Sequence, residues 1–153
     1  MKCAWLNVAA FAMLLAVDVA TAADIQVTLG PQRQTVKLGA RPQFVVTVSP
    51  ITTTQRIMKF AERSDLRHNY AELIVTENGK RVDVSRAISD PGPTSDGDYV
   101  QLNPGQRLEF KHDGMPYTLT ELPPGNYSAV VRLRADWRLE AATSNTVSFV
   151  VER

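Results

Sequence analysis

The fold is decided by the C-terminal part of the chain, where residues 98–111 read DYVQLNPGQRLEFK, residues 122–135 read LPPGNYSAVVRLRA and residues 146–151 read TVSFVV. Apolar and polar residues alternate along these segments, and Pro-Gly pairs lie in the middle of the first segment and near the start of the second. Alternation of this kind is typical of strands with one buried face, and Pro-Gly marks turns. The pattern predicts consecutive antiparallel strands.

The same alternation predicts which side chains face the core. Residues two apart in a strand share a face, and in each predicted strand one face is apolar. The predicted inward residues are Val100, Leu102, Leu108, Phe110, Tyr127, Ala129, Val131, Leu133, Ala135, Val147, Phe149 and Val151.

The N-terminal half carries shorter strand patterns. Residues 25–29, 35–38 and 44–48 alternate and stop at glycine or proline, which predicts three strands. Residues 52–69 fit a helical stripe about as well as a strand followed by a loop. The surrounding β pattern favours a strand over residues 56–60.

Asn78-Gly79 predicts a hairpin between strands at 70–76 and 81–86. Asparagine and glycine readily adopt the positive φ angles that a two-residue hairpin turn needs. The proline-, glycine- and serine-containing segment at 90–96 then predicts a loop.

A short motif before the penultimate strand selects the architecture. Leu122, Pro124, Gly125 and Tyr127 resemble the tyrosine corner of immunoglobulin and fibronectin type III domains. In such a corner the tyrosine hydroxyl bonds to backbone a few residues upstream, here near Leu122. With roughly eight candidate strands, this motif favours an all-β, immunoglobulin-like antiparallel β-sandwich over a barrel.

Residues 1–22 have the pattern of a cleavable signal peptide. Lys2 precedes an apolar run at 8–17, which closes on Ala20-Thr21-Ala22. The run is too short to span a bilayer, so no membrane anchor is expected. The pattern predicts a secreted or periplasmic protein whose single domain comprises residues 23–153.

The composition limits the partners and the chemistry that the chain can have. Lys and Arg number 17 against 16 Asp and Glu, a net charge of +1, which argues against a nucleic-acid partner. Cys3 is the only cysteine and lies in the predicted leader. The mature chain is therefore expected to have no disulfide, thiol nucleophile or thiolate ligand.

No catalytic or metal-binding pattern stands out. His68 and His112 are the only histidines and are both predicted to be solvated loop residues. Asp90, Asp96 and Asp98 lie in one segment and are candidate calcium ligands, but their spacing lacks the EF-hand pattern. They are predicted to be turn residues, and no cofactor or metal is expected.

Several basic residues lie within or next to the predicted strands. Arg132, Arg134 and Arg138, with Arg107 and Lys111, form either a basic strip on one sheet or an ordinary charged outer face. The second interpretation is favoured, because charged outer faces keep sheets from pairing with one another.

The order of segments LIVTENGKRV (73–82), YVQLNPGQ (99–106) and PGNY (124–127) resembles the β-sandwich domain that precedes the catalytic domain of deuterolysin-type zinc endopeptidases. The resemblance implies the same sandwich and an association with secreted peptidases. The peptidase signature His-Glu-x-x-His does not occur in the chain, so no catalytic residue of the family is carried over.

These observations predict a secreted, non-enzymatic module that binds a protein or a cell-envelope component. An inhibitor or chaperone-like partner of a secreted protease is the alternative, and a small metal-dependent enzyme is the third. Fold alone does not distinguish them.

Overall fold

The computed structural model describes residues 24–59, 70–82, 93–112, 122–133 and 142–153. These residues contain eleven strands and a short 3-10 helix at Asp96–Asp98. The strands are β1 Ile25–Pro31, β2 Thr35–Lys37, β3 Phe44–Pro50, β4 Gln55–Met58, β5 Ala71–Glu77, β6 Lys80–Arg81, β7 Tyr99–Leu102, β8 Leu108–His112, β9 Gly125–Leu133, β10 Ala142–Thr143 and β11 Val147–Glu152.

The strands form an all-β sandwich, as the sequence predicts. One sheet has the order β1-β3-β8, and a larger sheet has the order β2-β11-β9-β5-β6, with β10 beside β9. Strands β4 and β7 form a separate pair. The pairing of β2 with β11 is parallel, whereas only antiparallel pairs were expected. The chain reaches β2 by crossing between sheets, so no hairpin turn dictates the direction of β2.

Aromatic rings join the two sheets at the centre of the core. Phe44 on β3 meets Phe149 on β11 edge to face, with ring centroids 5.6 Å apart. Tyr127 on β9 stacks on Phe149 at 5.4 Å. Such aromatic pairs contribute about 0.5–1.5 kcal/mol beyond their burial. The predicted inward parity of β9 and β11 is confirmed, since the inward residues of both strands are buried.

The hairpin prediction is also confirmed. Asn78 and Gly79 have φ angles of 49° and 77°, and Glu77 pairs with Lys80 across the turn. The strand preferred over residues 56–60 is present as β4. Residues 83–86 and 60–69 lie outside the described residues.

His112 corrects one prediction. It is the last residue of β8 and is fully buried, not a solvated loop residue. The inward parity of Leu108 and Phe110 continues to position 112, which explains the burial. Its ring Nε2 lies 2.9 Å from the carbonyl oxygen of Ala71. Because a carbonyl only accepts, Nε2 donates this bond, which ties β8 of one sheet to β5 of the other.

Several predicted features fall outside the described residues. They are the signal peptide at 1–22, His68, Asp90, Arg134, Ala135 and Arg138.

Candidate binding surface at the edge of strand β2

The tyrosine motif forms a compact corner before β9. The Tyr127 hydroxyl donates to the carbonyl of Pro123 at 2.7 Å, one residue beyond Leu122, which is itself buried. Pro124 is exposed at the turn. A Cβ on Gly125 would lie 2.9 Å from Oε1 of Glu77 and 3.4 Å from the Tyr127 ring. The absence of a Cβ at Gly125 therefore leaves room for the Glu77 carboxylate, whereas the contact with the ring would be an ordinary one.

Burial of the hydroxyl, and then the charge of Glu77, raise the pKa of Tyr127 above its ordinary value of 10.0. The negative charge disfavours a phenolate, as does removal of the hydroxyl from water. The corner therefore holds a neutral tyrosine, and its role is structural.

Asp96 and Asp98 are engaged with their own neighbours. The carboxylate of Asp98 accepts bonds from the backbone N–H of Ser95 at 2.7 Å and from its hydroxyl at 3.1 Å. Asp96 accepts a bond from Arg56 at 2.5 Å, and the Arg56 guanidinium lies 4.1 Å from the centre of the Tyr99 ring. These contacts order the start of β7, and the two carboxylates serve different partners.

Within the residues that the structure describes, no three His, Cys, Asp or Glu side chains are grouped so as to hold a metal ion. The same part of the chain contains no helix of the length and apolar character that crossing a membrane requires.

The three described basic residues of the strip considered above do not share a sheet. Lys111 lies on β8, with Arg107 just before it, in the three-stranded sheet. Arg132 lies on β9 in the larger sheet. A single strip that includes these three residues is therefore wrong.

A different basic surface lies where the chain crosses between the sheets. After β1 the chain leaves the three-stranded sheet and forms β2 at the edge of the larger sheet. It then turns at Gly39, which has a φ of +81°, and returns to the three-stranded sheet as β3. The N–H of Gln32 donates to the carbonyl of Gln43 at 2.8 Å, and this bond joins the two ends of the crossover segment. Beside it lies a cavity of about 460 Å³ that is open to solvent, here called the β2 cavity and lined by Gln32, Arg33, Thr35, Val36, Lys37, Ala40, Arg41 and Gln43.

The lining of the β2 cavity is cationic. Arg33, Lys37 and Arg41 all contribute to it, and none of the lining residues that the structure describes carries a carboxylate. Lys37 lies 3.8 Å from Glu152, and both side chains are more than half exposed. An exposed pair at that distance is worth about 1 kcal/mol at most, so Glu152 does not prevent Lys37 from meeting another anion, and Arg33 and Arg41 add two further cations.

The backbone of β2 is open on the side of this cavity. The carbonyl of Gln34 accepts a bond from Val150, and the N–H of Leu38 donates to Glu152. In a parallel ladder alternate residues bond the same neighbour, so the N–H groups of Thr35 and Lys37 point away from β11. Among the described residues no strand pairs with that side of β2. We call this side the β2 edge.

Sequence patterning did not single out Arg33, Lys37 and Arg41. One signal was available: residues 25–59 contain five basic residues and no acidic one. This run of basic residues is inconspicuous in a chain of nearly balanced charge. Only the crossover between the sheets brings three of its cations to one cavity.

Comparison with known proteins informs the fold. No protein-family model matches the chain, and no curated protein matches it. Among solved structures it is similar to the crystal structure of Spo0M, a sporulation control protein from Bacillus subtilis, with a TM-score of 0.52 and 12% sequence identity. The match covers 86% of this chain and 51% of that one, so the chain spans about half the length of that protein. At this identity the similarity shows the fold alone.

Proposed function

We propose that the protein is a secreted, non-enzymatic binding module that takes an extended segment of a partner protein onto the β2 edge. The observation that carries this proposal is that the N–H groups of Thr35 and Lys37 point away from β11, beside the β2 cavity. Addition of a peptide strand to an open sheet edge is a common recognition mode, in which main-chain bonds supply affinity and neighbouring side chains supply specificity.

The β2 edge offers only a short ladder. Strand β2 has three residues, and the carbonyl of Lys37 is already bonded to the N–H of Ala40 at 2.9 Å. Each net hydrogen bond is worth about 0.5–1.5 kcal/mol. Edge pairing alone therefore gives weak binding, and contacts in the β2 cavity contribute the rest.

Thr35→Pro tests this proposal. Proline removes the N–H that faces the open edge, whereas the ladder to β11 does not use that N–H, and edge positions tolerate proline. Thr35→Ala is the matched control, since it removes the side chain and keeps the N–H. Melting curves and circular dichroism establish that both variants fold.

The purified exported protein and both variants are used to recover a partner from the secreted and envelope fractions of the source organism. The recovered protein is identified, and its binary affinity is then measured. We expect Thr35→Pro to bind at least about fivefold more weakly than the parent, as loss of about 1 kcal/mol requires, and Thr35→Ala to bind like the parent. Equal binding by a folded Thr35→Pro variant contradicts the proposal.

A secreted protease as the partner is the second candidate function, with the module acting as inhibitor or chaperone. The resemblance of residues 73–82 and 99–106 to the deuterolysin-associated domain favours it. Peptidase activity of the secreted fraction, measured with the parent and with Thr35→Pro, tests it. If the parent changes the peptidase activity and Thr35→Pro does not, the result supports this candidate. If the activity is the same with the parent and with Thr35→Pro, this candidate is excluded.

A further inference from the structure

We infer that the segment bound at the β2 edge is acidic, and that the β2 cavity receives its carboxylates between Arg33, Lys37 and Arg41. This inference rests on the proposed function of the β2 edge and adds the chemical class of the partner.

The lining supplies donors for an oxyanion. Besides the three cations, it contains the side-chain amides of Gln32 and Gln43. Guanidinium groups bind carboxylates through two parallel hydrogen bonds, and such charge-assisted bonds are stronger than neutral ones. None of the described lining residues carries a carboxylate, and the Glu152 carboxylate, 3.8 Å from Lys37, is the competing anion that a bound acidic group meets.

The parity of β2 places these donors where an added strand presents side chains. Val36 is buried, whereas Thr35 and Lys37 are exposed on the opposite face. Side chains directly across from each other in adjacent strands lie about 4.5–5.5 Å apart, and alternate residues share a face. Acidic residues at every second position of the partner segment therefore meet Lys37 and the arginines at the cavity rim.

The cavity is large enough for more than one acidic group. Its volume of about 460 Å³ lies within the range of roughly 300–1,000 Å³ typical of ligand pockets. The same cations would attract inorganic phosphate, but a free phosphate makes no use of the β2 edge. The coincidence of an open edge with a cationic cavity favours an acidic peptide segment.

The probe is a six-residue, end-blocked, fluorescent peptide of alternating threonine and glutamate, and its counterpart carries lysine in place of glutamate. Binding to the purified protein is followed by fluorescence anisotropy. The variants are Lys37→Gln and the double variant Arg33→Gln with Arg41→Gln. Arg107→Gln is the charge-matched control, because Arg107 precedes Leu108, which pairs with Val48, and the cavity lies towards Phe44, at the other end of β3.

The glutamate peptide is expected to bind, and the lysine peptide is not. We expect the double variant to weaken binding about fivefold and Lys37→Gln by about twofold or more, the range for exposed ion pairs, with Arg107→Gln unchanged. Binding should also weaken as salt rises from 0.1 to 1 M, where the screening length falls from about 10 to about 3 Å. Equal binding of both peptides, or by the parent and the double variant, overturns the inference.

Thr35→Pro and N-methylation of alternate peptide bonds separate this inference from the proposed function. If both weaken binding of either peptide while the glutamine variants do not, the edge function stands and the acidic preference fails. If the glutamine variants weaken binding while Thr35→Pro and N-methylation do not, anions are held without the edge and the proposed function fails with this inference. Millimolar inorganic phosphate is tested as a competitor. If it displaces the peptide fully, and if it binds the parent but not the double variant, the cavity is assigned to phosphate and the inference is also overturned.

Discussion

The side-chain amide of Asn145 occupies the place of a neighbouring strand beside Leu29. Its Oδ1 accepts a bond from the N–H of Leu29 at 2.8 Å, and its Nδ2 donates to the Leu29 carbonyl at 3.0 Å. One side chain thus closes the outer side of β1 at this residue, and sheet edges left open invite pairing with other chains. The β2 edge has no such cover among the described residues, and this contrast supports the proposal that it takes a partner strand.

Asn145→Ala is expected to lower the free energy of unfolding by about 1–3 kcal/mol, because it leaves the N–H and carbonyl of Leu29 without partners near the core. Urea unfolding measures the loss. Asn103→Ala is the control, since its Oδ1 accepts a bond from the Thr54 hydroxyl on the exposed surface and water replaces it. Equal losses in the two variants would show that the pairing with Leu29 contributes nothing.

Tyr127→Phe is expected to cost about 1 kcal/mol of stability. The ring is buried, with 2% of its surface exposed, and phenylalanine preserves its packing while the Pro123 carbonyl loses a donor. The cost is at the lower end for a lost hydrogen bond because Pro123 is exposed and water can reach it. Tyr99→Phe should cost less, since its hydroxyl makes an exposed bond of 3.3 Å to Thr94. A larger loss for Tyr99→Phe in denaturant melts would contradict the corner.

Alkaline pH provides a second test of Tyr127. Its pKa is raised in the folded protein by burial and by Glu77, so its contribution to stability is fully present below its ordinary pKa of 10.0 and is lost as the pH rises through the folded-state pKa. The difference in unfolding free energy between the parent and Tyr127→Phe should therefore shrink above about pH 10. A difference that stays constant into this range would show that the hydroxyl ionises as freely as in the unfolded chain.

His112→Leu is expected to destabilise the fold by about 1–3 kcal/mol, because the buried carbonyl of Ala71 loses the donor that links the sheets. His112→Gln retains an N–H donor and should be less damaging. Thermal melts of both variants beside the parent decide the matter. If the leucine variant melts at or above the temperature of the glutamine variant, packing at this site outweighs the hydrogen bond.

Local patterns predicted much of the fold. Alternation identified β9 and β11, and Asn78-Gly79 identified the hairpin, since both signals depend on neighbouring residues. Interactions between distant segments were not predictable in this way. Leu29 and Asn145 are 116 positions apart, and no local pattern links them.

The candidate site was missed for the same reason. Thr35 reaches the edge of the larger sheet only because it pairs with Val150 in parallel, and a three-residue strand carries too little alternation to reveal its partner. The burial of His112 shows a related limit: parity indicated the inward face of β8, but the neighbouring Asp113 suggested a turn.

Amide hydrogen exchange at Thr35 and Lys37, measured by NMR with and without the threonine–glutamate peptide, tests the central claim most directly. In the free protein these N–H groups should exchange faster than that of Leu38, which is bonded to Glu152. Saturating peptide should slow exchange at Thr35 and Lys37 at least about tenfold, as expected if hydrogen bonding adds about 1.4 kcal/mol of protection, and leave Leu38 unchanged. Unaltered exchange at Thr35 and Lys37 in the peptide-saturated protein would contradict binding at the β2 edge.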